Sequence, residues 1–499
     1  KYRGQSRMNE NKLPREWVNT KLGNIVDYGR SAKKTLVDVT ENTWVLELED
    51  IEKDSSKLLS KVRVTDRPFK STKNCFNKGD VLYGKLRPYL NKVIMADDEG
   101  VCTTEIIPIN AEPFCINKYI FFWLKSPFFL RYVNEVSYGV NMPRLGTNDG
   151  RNAPFYLAPL AEQKIISNKL GSLWARVESI KSRLENIPEL LKKFRHSVLL
   201  SAVSGKLTAE WRNENKTSES AKELVVRWIS LRKERFSIYQ NELLALGDLK
   251  RTKKFIEPHL PDIETGGELV VPPSWEIVSV SQIADCLDSQ RIPVKKEKRI
   301  KSEGLYPYFG ANGEVDRVDD FIFNGDYVLV TEDETFYGRV KPIAYRYTGK
   351  CWVNNHVHIL SAPTKSANDY LCYALMYYKI IPWLTGTTGR AKLTQAALNV
   401  LPIGLPPEKE IEEIVLRIDQ FLSYADSIQR AANNALARIN NLTQSILAKA
   451  FCGELTAQWR EENLDLISGI NSAEALLQKI STEKLASGTS KKIVKKVVR

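Results

Sequence analysis

The chain contains two copies of one segment, and this repeat constrains its fold more than any other feature. Residues 197–215 (SVLLSAVSGKLTAEWRNEN) return as residues 445–463 (SILAKAFCGELTAQWREEN), an offset of 248 positions in a chain of 499 residues. That period is far longer than the roughly 20–50 residues of a solenoid repeat. The sequence therefore predicts duplication of a domain-sized unit, with pseudo-twofold symmetry and two similar sites.

A divergent region precedes the matched segment in each half. The offset continues back to Leu157-Ala-Pro159 and Leu405-Pro-Pro407, and a looser match joins Pro14-Arg-Glu-Trp17 to Pro272-Pro-Ser-Trp275. Both divergent regions carry aromatic, β-branched runs broken by Gly, Asn and Pro, which indicate strands and turns. We predict an α+β fold in which two α/β domains are joined by two long helices. The expected boundaries are 12–156 and 270–404 for the divergent domains, 157–231 and 405–486 for the helical regions, 232–269 for a linker and 487–499 for a basic tail.

Both helical regions carry a heptad pattern, with apolar or small residues at alternating spacings of four and three. This period is typical of helices that pack on each other, and Ala in the second seam stands where the first has larger residues. We expect an antiparallel coiled coil; the alternative is that each helix packs only on its own domain. Pro188 predicts a kink in the first helix. The seam residues are Leu170, Leu173, Val177, Ile180 and Leu184 in the first helix, and Ile418, Phe421, Ile428 and Ile439 in the second.

A Trp-containing box follows each seam, GKLTAEWR at Gly205–Arg212 and GELTAQWR at Gly453–Arg460. Near identity beside domains that differ indicates a shared role, either in a core or as a docking surface presented twice. Both alternatives stay open at this point. The residues that would contribute to a docking surface are Trp211, Arg212, Trp459 and Arg460.

The composition favours an anionic partner and no membrane. The net charge is +13 and the pI is near 9.1. No run of 18 or more apolar residues and no signal peptide is present, which predicts a cytoplasmic protein. The seven cysteines never form CxxC, as expected for reduced thiols. His356 and His358 share one face of a strand-like run, but no third ligand is nearby in sequence, so we expect no metal site.

Basic loops recur in both divergent domains. The first domain has a loop after the strand-like run that begins at Phe76-Asn-Lys-Gly-Asp80, and the second has a similar entry at Phe323-Asn-Gly-Asp326. Each domain also has a glycine-containing basic loop near its end. Such loops supply phosphate neutralisation and hydrogen bonds to base edges, although many basic loops are only solvated surface. The candidate DNA-binding residues are Lys85, Arg87, Tyr89, Asn91, Asn141 and Arg144 in the first domain, and Asn312, Arg339, Lys341, Arg390 and Lys392 in the second.

Catalytic motifs do not accompany these loops. The sequence lacks the G-x-x-x-x-G-K-[ST] phosphate loop and the Asn-Pro-Pro-aromatic motif with which amino-methyltransferases hold a flipped base. It also lacks a convincing nuclease cluster of acidic residues and lysine. We therefore expect a protein that is not an enzyme and whose catalytic partner is another subunit.

Several stretches resemble type I restriction-modification specificity subunits of the enteric K-type (IA) family. LAPLAEQKIISNKL at Leu157–Leu170, the KLTAEWR box and the text from Tyr424 to Gly469 resemble the central and C-terminal conserved regions of that family. YFGANG at Tyr308–Gly313 and WVNNH at Trp352–His356 resemble its target recognition domains, with Phe309 a small departure from the usual YGANG. The conserved regions cover about a third of the chain.

This resemblance implies that residues 12–156 and 270–404 are target recognition domains, each reading one half of a bipartite double-stranded DNA site. The coiled coil would set the spacer between the half-sites. Two methyltransferase subunits and two restriction motor-nuclease subunits are the implied partners. S-adenosylmethionine, ATP and Mg would then bind the partners, which methylate adenine and cleave DNA, and no cofactor would bind this chain. Two other classes stay open: a non-specific coiled-coil DNA-binding scaffold and a self-contained DNA methyltransferase.

Overall fold

The computed structural model describes residues 13–139, 141–215, 219–247, 254–267, 269–292, 294, 304–311, 313–333, 342–386 and 391–497, the last eleven of these as backbone only. The chain forms two compact units. The first unit comprises Lys1–Asn186 and Ala432–Arg499, and the second comprises Ile187–Ala431. Each unit therefore contains one divergent domain together with the Trp-containing box of the other repeat.

The strands fall into the two divergent domains, nine in the first and eight in the described part of the second. They are β1 (Val18–Lys21), β2 (Lys33–Lys34), β3 (Trp44–Leu46), β4 (Lys73–Phe76), β5 (Val81–Gly84), β6 (Val93–Met95), β7 (Gly100–Cys102), β8 (Ile106–Ile109), β9 (Pro154–Leu157), β10 (Glu276–Ser279), β11 (Asp285–Cys286), β12 (Tyr306–Gly310), β13 (Gly313–Val318), β14 (Phe323–Thr331), β15 (Ala344–Val353), β16 (Val357–Ser361) and β17 (Pro402–Leu405).

The α-helices include the long helices that follow each divergent domain. They are α1 (Leu22–Ile25), α2 (Asn117–Leu124), α3 (Pro127–Val136), α4 (Thr147–Asn152), α5 (Leu160–Glu185), α6 (Ile187–Val203), α7 (Ala209–Glu214), α8 (Ala221–Ala245), α9 (Ile263–Gly266), α10 (Val280–Ile283), α11 (Lys365–Met376), α12 (Gln395–Val400), α13 (Glu408–Phe451), α14 (Ala457–Glu462) and α15 (Ala473–Val497).

Three small sheets build the first unit. The four-stranded sheet has the order β2-β4-β7-β3, the three-stranded sheet has the order β6-β5-β8, and β1 pairs antiparallel with β9. The largest core cluster of this unit joins α2, α3, β9, the start of α5 and the end of α13. Phe451 lies edge-on to Tyr119 at 5.2 Å and to Trp123 at 5.1 Å between ring centroids. The helix of the second repeat therefore completes the core of the first domain.

One larger sheet dominates the second unit. Its six strands follow the order β11-β16-β14-β15-β12-β13, and β10 pairs antiparallel with β17. The β1–β9 and β10–β17 ladders are equivalent, because Val18 lies opposite Leu157 and Glu276 lies opposite Leu405. The core here includes Trp228 of α8, Val198 of α6 and Ile414 of α13. The duplication predicted from sequence is thus a duplication of structure, although the sheets differ in size.

The helices that follow the divergent domains confirm an α+β fold with a coiled coil. Within the second unit, Arg195 contacts Asp426 at 2.7 Å, Arg417 Nη1 donates to Leu207 O at 2.8 Å, and Thr208 Oγ1 donates to Glu410 at 2.7 Å. Residue numbers increase along one segment of these pairs while they decrease along the other, so the pairing is antiparallel. Helix α5 ends at Glu185 and α6 begins at Ile187, beside Pro188, whereas α13 continues unbroken for 44 residues.

Several positions of the coiled-coil seam are buried. Leu170 and Ile418 are buried, as are Ala425 and Ala432, which follow Ile418 at intervals of seven. Leu173, Val177, Leu184, Ile428 and Ile439 are half-buried. Ile180 is 48% exposed and Phe421 is 39% exposed, although the Phe421 ring lies 6.0 Å from that of Phe194. Ile180 therefore departs from the expectation of a closed seam position.

Helices extend into two regions that were predicted as a linker and a tail. Helix α8 continues through Ala245, so the first part of the predicted linker 232–269 is helical. Buried Arg232 and Leu243 explain the extension, since they continue the face that begins at Leu224 and Trp228. Helix α15 runs to Val497, so most of the predicted basic tail 487–499 has a helical backbone. Within the described ranges, no helix is both long and apolar enough to cross a membrane.

Candidate nucleic-acid interface

Two candidate loops of the first domain lie side by side, although about fifty residues separate them in sequence. The loop that follows β5 contains Arg87, whose backbone N–H donates to Pro143 O at 2.7 Å. Leu145 N–H donates to Lys85 O at 3.0 Å, and Leu86 forms a bridge with Arg144. The structure thus brings together the loops 85–92 and 138–145, which we call the first reading surface.

Left-handed backbone conformations shape the first reading surface. Arg87 has φ 48° and Asn91 has φ 47°, and they flank a short 3-10 helix at Pro88–Leu90. Gly139 has φ +112° in the adjoining loop. The exposed residues of this surface are Arg87, Tyr89, Tyr138, Asn141, Met142 and Arg144.

Two basic side chains of these loops have hydrogen-bond partners within the protein. Arg144 Nε donates to Glu105 Oε2 at 3.2 Å, and its side chain stays partly exposed. Lys92 Nζ donates to Leu48 O at 2.7 Å, and burial lowers the pKa of Lys92. Asn91 is 3% exposed, so its side chain offers almost no surface for the DNA contact that was predicted for it. It ends the 3-10 helix in a left-handed conformation, which Asn tolerates better than most residues.

The second domain repeats this arrangement of backbone. Thr385 and Lys392 exchange two backbone hydrogen bonds of 2.9 Å, as Tyr138 and Arg144 do at 3.3 and 2.9 Å. Leu393 N–H donates to Glu332 O at 3.0 Å, which corresponds to the bond from Leu145 to Lys85. Lys392 therefore occupies the position that Arg144 has in the first domain, on what we call the second reading surface.

The local charge of the two surfaces differs. Glu332 replaces Lys85, and Lys392 Nζ lies 3.0 Å from Asp333 and 3.5 Å from Glu332. The hydrogen bond to Asp333 raises the pKa of Lys392. Four further candidates of this domain, Asn312, Arg339, Lys341 and Arg390, lie outside the described residues.

A buried histidine supports the second reading surface. His358 Nε2 lies 2.7 Å from Leu393 O and its Nδ1 lies 2.5 Å from Asp288 Oδ2. Both ring nitrogens of this buried side chain therefore lie beside oxygen atoms of the protein. Burial alone would raise the pKa of Asp288, but hydrogen bonding and charge from His358, with the charge of Arg291, lower it.

Cys286 brings a third potential ligand atom to this pair. Its Sγ, the Asp288 carboxylate and the His358 ring offer atoms that all lie within 4.8 Å of one another. Arg291 already supplies a cation 3.1 Å from Asp288, and burial raises the pKa of the Cys286 thiol. We therefore interpret the cluster as a structural ion pair. Sequence spacing did not reveal this cluster, because Asp288 lies seventy residues before His358.

Each Trp-containing box binds a buried carboxylate within its unit. In the first unit, Glu162 is 0% exposed and accepts hydrogen bonds from Trp17 Nε1 at 2.7 Å, Thr456 Oγ1 at 2.6 Å and Arg460 Nε at 3.2 Å. In the second unit, Glu410 accepts from Thr208 Oγ1 at 2.7 Å and from Arg212 Nε at 2.9 Å. Glu162 and Glu410 were missed as candidates, although they are 248 positions apart.

Arg212 and Arg460 thus hold their own units together. Each also bonds the carbonyl of the box glycine, Gly205 or Gly453, which adopts a left-handed backbone conformation. Trp211 and Trp459 are half-buried and retain accessible surface. Arg212 and Arg460 are half-buried as well, and the docking role of these four residues stays a prediction.

Known proteins resemble the chain over most of its length. Residues 14–189 and 272–438 match the type I restriction modification DNA specificity domain. The specificity subunit of the type I restriction enzyme EcoDI from Escherichia coli is 34% identical over 398 residues, which cover 77% of this chain and 81% of that protein. The EcoBI specificity subunit, also from Escherichia coli, is 33% identical over 429 residues, covering 81% and 80%.

A solved structure shares the fold. A chain from a type I R-M system, whose complex assembly and conformational transition were studied, matches with a TM-score of 0.59 at 19% sequence identity. The match covers 89% of this chain and 99% of that chain. The duplicated domains, the antiparallel helices and these similarities lead to one conclusion: the chain belongs to the family of DNA specificity subunits of type I restriction-modification enzymes.

Proposed function

We propose that the two reading surfaces of this non-catalytic specificity subunit each read one half of a bipartite double-stranded DNA site. The observation that supports this is the juxtaposition of loops 85–92 and 138–145, repeated by the backbone pairing of Thr385 with Lys392. The two reading surfaces share their backbone hydrogen bonding but differ in their side chains, as expected if they read half-sites of different sequence.

Arg87 is the residue that we assign to base reading on the first surface. It is exposed, and the hydrogen bond from its backbone to Pro143 fixes where its side chain begins. An arginine so placed can bind guanine O6 and N7 with two hydrogen bonds. Arg144 is held by Glu105, and this geometry suits a phosphate contact that positions the loop.

The same proposal covers the assembly. The antiparallel helices would set the spacer between half-sites, and the half-exposed Trp211 and Trp459 would contribute to the docking of two methyltransferase subunits. Two restriction subunits would complete the complex in the cytoplasm. S-adenosylmethionine, ATP and Mg would bind those partners, which carry out adenine methylation and DNA cleavage.

The test begins with methylome sequencing of cells that carry the complete system, which identifies the bipartite motif. Arg87→Ala should then cost about 1–3 kcal/mol of binding and relax one position in one half-site. Arg176→Ala, on the exposed side of α5, is the matched control and should leave the motif unchanged. A uniform loss of affinity for all sequences would make Arg87 a phosphate contact. An unchanged motif with unchanged affinity would overturn the proposal for this surface.

A further inference from the structure

A buried lysine lies behind the first reading surface. Lys125 follows α2 and is 1% exposed. Its Nζ donates to Asp54 O and to Ser56 Oγ, both at 2.7 Å. The ring of Trp174, on α5, lies 4.9 Å from Nζ. A buried lysine costs desolvation free energy unless its hydrogen bonds are satisfied, so this arrangement requires an explanation beyond packing.

The two acceptors belong to a strained turn. Asp54 has φ 62° and Ser56 has φ 66°, both in the left-handed region that non-glycine residues rarely adopt. Such residues persist when surrounding contacts hold them. Lys125 holds both, one through its backbone carbonyl and the other through its hydroxyl.

The strained turn contacts the first reading surface directly. Asp54 N–H donates to Leu90 O at 3.1 Å, and Leu90 ends the short helix that follows Arg87. A continuous path therefore runs from Lys125 through Asp54 to the loop that carries Arg87 and Tyr89. At the Lys125 end, the contact with Trp174 connects this path to helix α5.

The second domain lacks the lysine. Asn117 on α2 accepts a hydrogen bond from the backbone N–H of Ala111 at 2.9 Å. Asn368 on α11 accepts the corresponding bond from Ala362 at 2.8 Å. Both residues of the second pair lie 251 positions after those of the first, so the two helices are equivalent. Lys125 then corresponds to Met376, which lies at the end of α11. The fold accommodates methionine at this position, so packing alone does not demand a lysine.

We propose that Lys125 is a positioning residue for sequence reading, which holds the turn Asp54–Ser56 and thereby the loop Lys85–Lys92 in its reading conformation. This inference rests on the proposed function of the first reading surface. It also makes that loop sensitive to α5, because Lys125 contacts Trp174.

The charged groups around Lys125 suit a positioning role more than an ion pair. Glu178 and Lys181 on α5 and the Asp54 side chain are the charged groups that influence it. Burial lowers the pKa of Lys125 to about 7, and burial also raises the pKa of Glu178. A neutral amine still donates the two hydrogen bonds that hold the turn.

The experiment uses the full chain with its methyltransferase partners and a panel of duplexes that carry single mismatches in either half-site. Lys125→Met copies the second domain and keeps the apolar stem. We expect mismatch discrimination in the first half-site to fall about tenfold and that in the second to stay constant. Ser56→Ala, which removes one of the two acceptors, should give a smaller loss. Lys118→Met, on the same helix, is the matched control.

Hydrogen exchange separates positioning from general stability. The amide of Asp54 should exchange faster in Lys125→Met, whereas core amides of β5 and α2 should exchange as in the wild type. The inference would be overturned if Lys125→Met discriminated mismatches in the first half-site as well as the wild type does, or if it lost discrimination equally in both half-sites. If Arg87→Ala also leaves the first half-site unchanged, the proposed function fails; if Arg87→Ala relaxes it and Lys125→Met does not, only the role of Lys125 fails.

Discussion

At the scale of single residues, buried charges determine much of the architecture. Glu162 and Glu410 are buried carboxylates, and each accepts hydrogen bonds from one arginine and one threonine of the Trp-containing box in its unit. Removing one member of such a set leaves the others uncompensated, which costs more than the set itself contributes. The boxes therefore join distant parts of the chain, and their near identity has a structural cause.

Glu162→Ala should destabilise the first unit by about 3–5 kcal/mol, because it leaves Arg460 without its carboxylate. Glu410→Ala should do the same for the second unit. Hydrogen exchange followed peptide by peptide would locate each effect. Asp97→Ala, which removes an exposed partner of Lys61, is the control and should cost less than about 1 kcal/mol. Equal loss of protection in both units after Glu162→Ala would contradict this prediction.

Asp50 should make stability depend on acid pH. Burial alone would raise its pKa, but hydrogen bonds from Arg67 and Ser60 lower it. A carboxylate with a lowered folded pKa stabilises the fold above its unfolded pKa of about 3.9. That contribution disappears as the pH falls through the folded value. Urea denaturation of wild type and Asp50→Asn should differ at pH 6, and the difference should shrink towards pH 3. A gap that stays constant would argue against the role of this carboxylate.

At the scale of elements, the two long helices have different backbone continuity. Pro188 accompanies the break between α5 and α6, because proline lacks the N–H that would continue the ladder. Leu436, in the matching position 248 residues later, lies within the unbroken α13. The same repeat thus produces one divided helix and one continuous helix.

Leu436→Pro should destabilise the protein by about 3 kcal/mol or more and reduce helical circular dichroism. Pro188→Ala is the reciprocal variant and should be tolerated, since the break already exists beside it. Thermal unfolding and the ellipticity at 222 nm would measure both. A Leu436→Pro protein that unfolds like the wild type would show that the continuity of α13 is not required.

At the scale of the whole molecule, we expect paired helices to act as the spacer of the bipartite site. The segment 180–186, at the end of α5, and the segment 435–441, on α13, are seven-residue stretches of the first unit whose numbering fits the antiparallel pairing. Removing both should shorten the coil by about 10 Å, which corresponds to about three base pairs. Methylome sequencing should find both half-sites retained with a shorter spacer, or no methylation.

Exchange of residues 270–404 for the same domain of a relative is the complementary test. It should change one half-site and preserve both the other half-site and the spacer, because each reading surface is built within its own unit. A change in both half-sites would contradict two independent readers, and altered bases after the heptad deletion at constant spacing would contradict the coil as spacer.

Local patterns in the sequence were sufficient for part of this description. The repeat, the long helices, the break at Pro188 and the basic loop after β5 follow from spacing and from residue chemistry within short windows. The family resemblance also follows from local text. Such features depend on residues that are close together in the chain, so they can be predicted from a single sequence.

Contacts between residues far apart in the chain became visible in the folded structure alone. It pairs Lys85 with Leu145 and Asp288 with His358, buries Asn91 and places Lys125 under the turn at Asp54. It also makes Arg212 and Arg460 partners of carboxylates that precede or follow them by about two hundred residues or more. Contacts across such separations arise from the packing of whole elements, whose relative placement no local periodicity specifies. Local residue patterns therefore specify the repeated plan of the chain, whereas the packing of distant elements creates the sites.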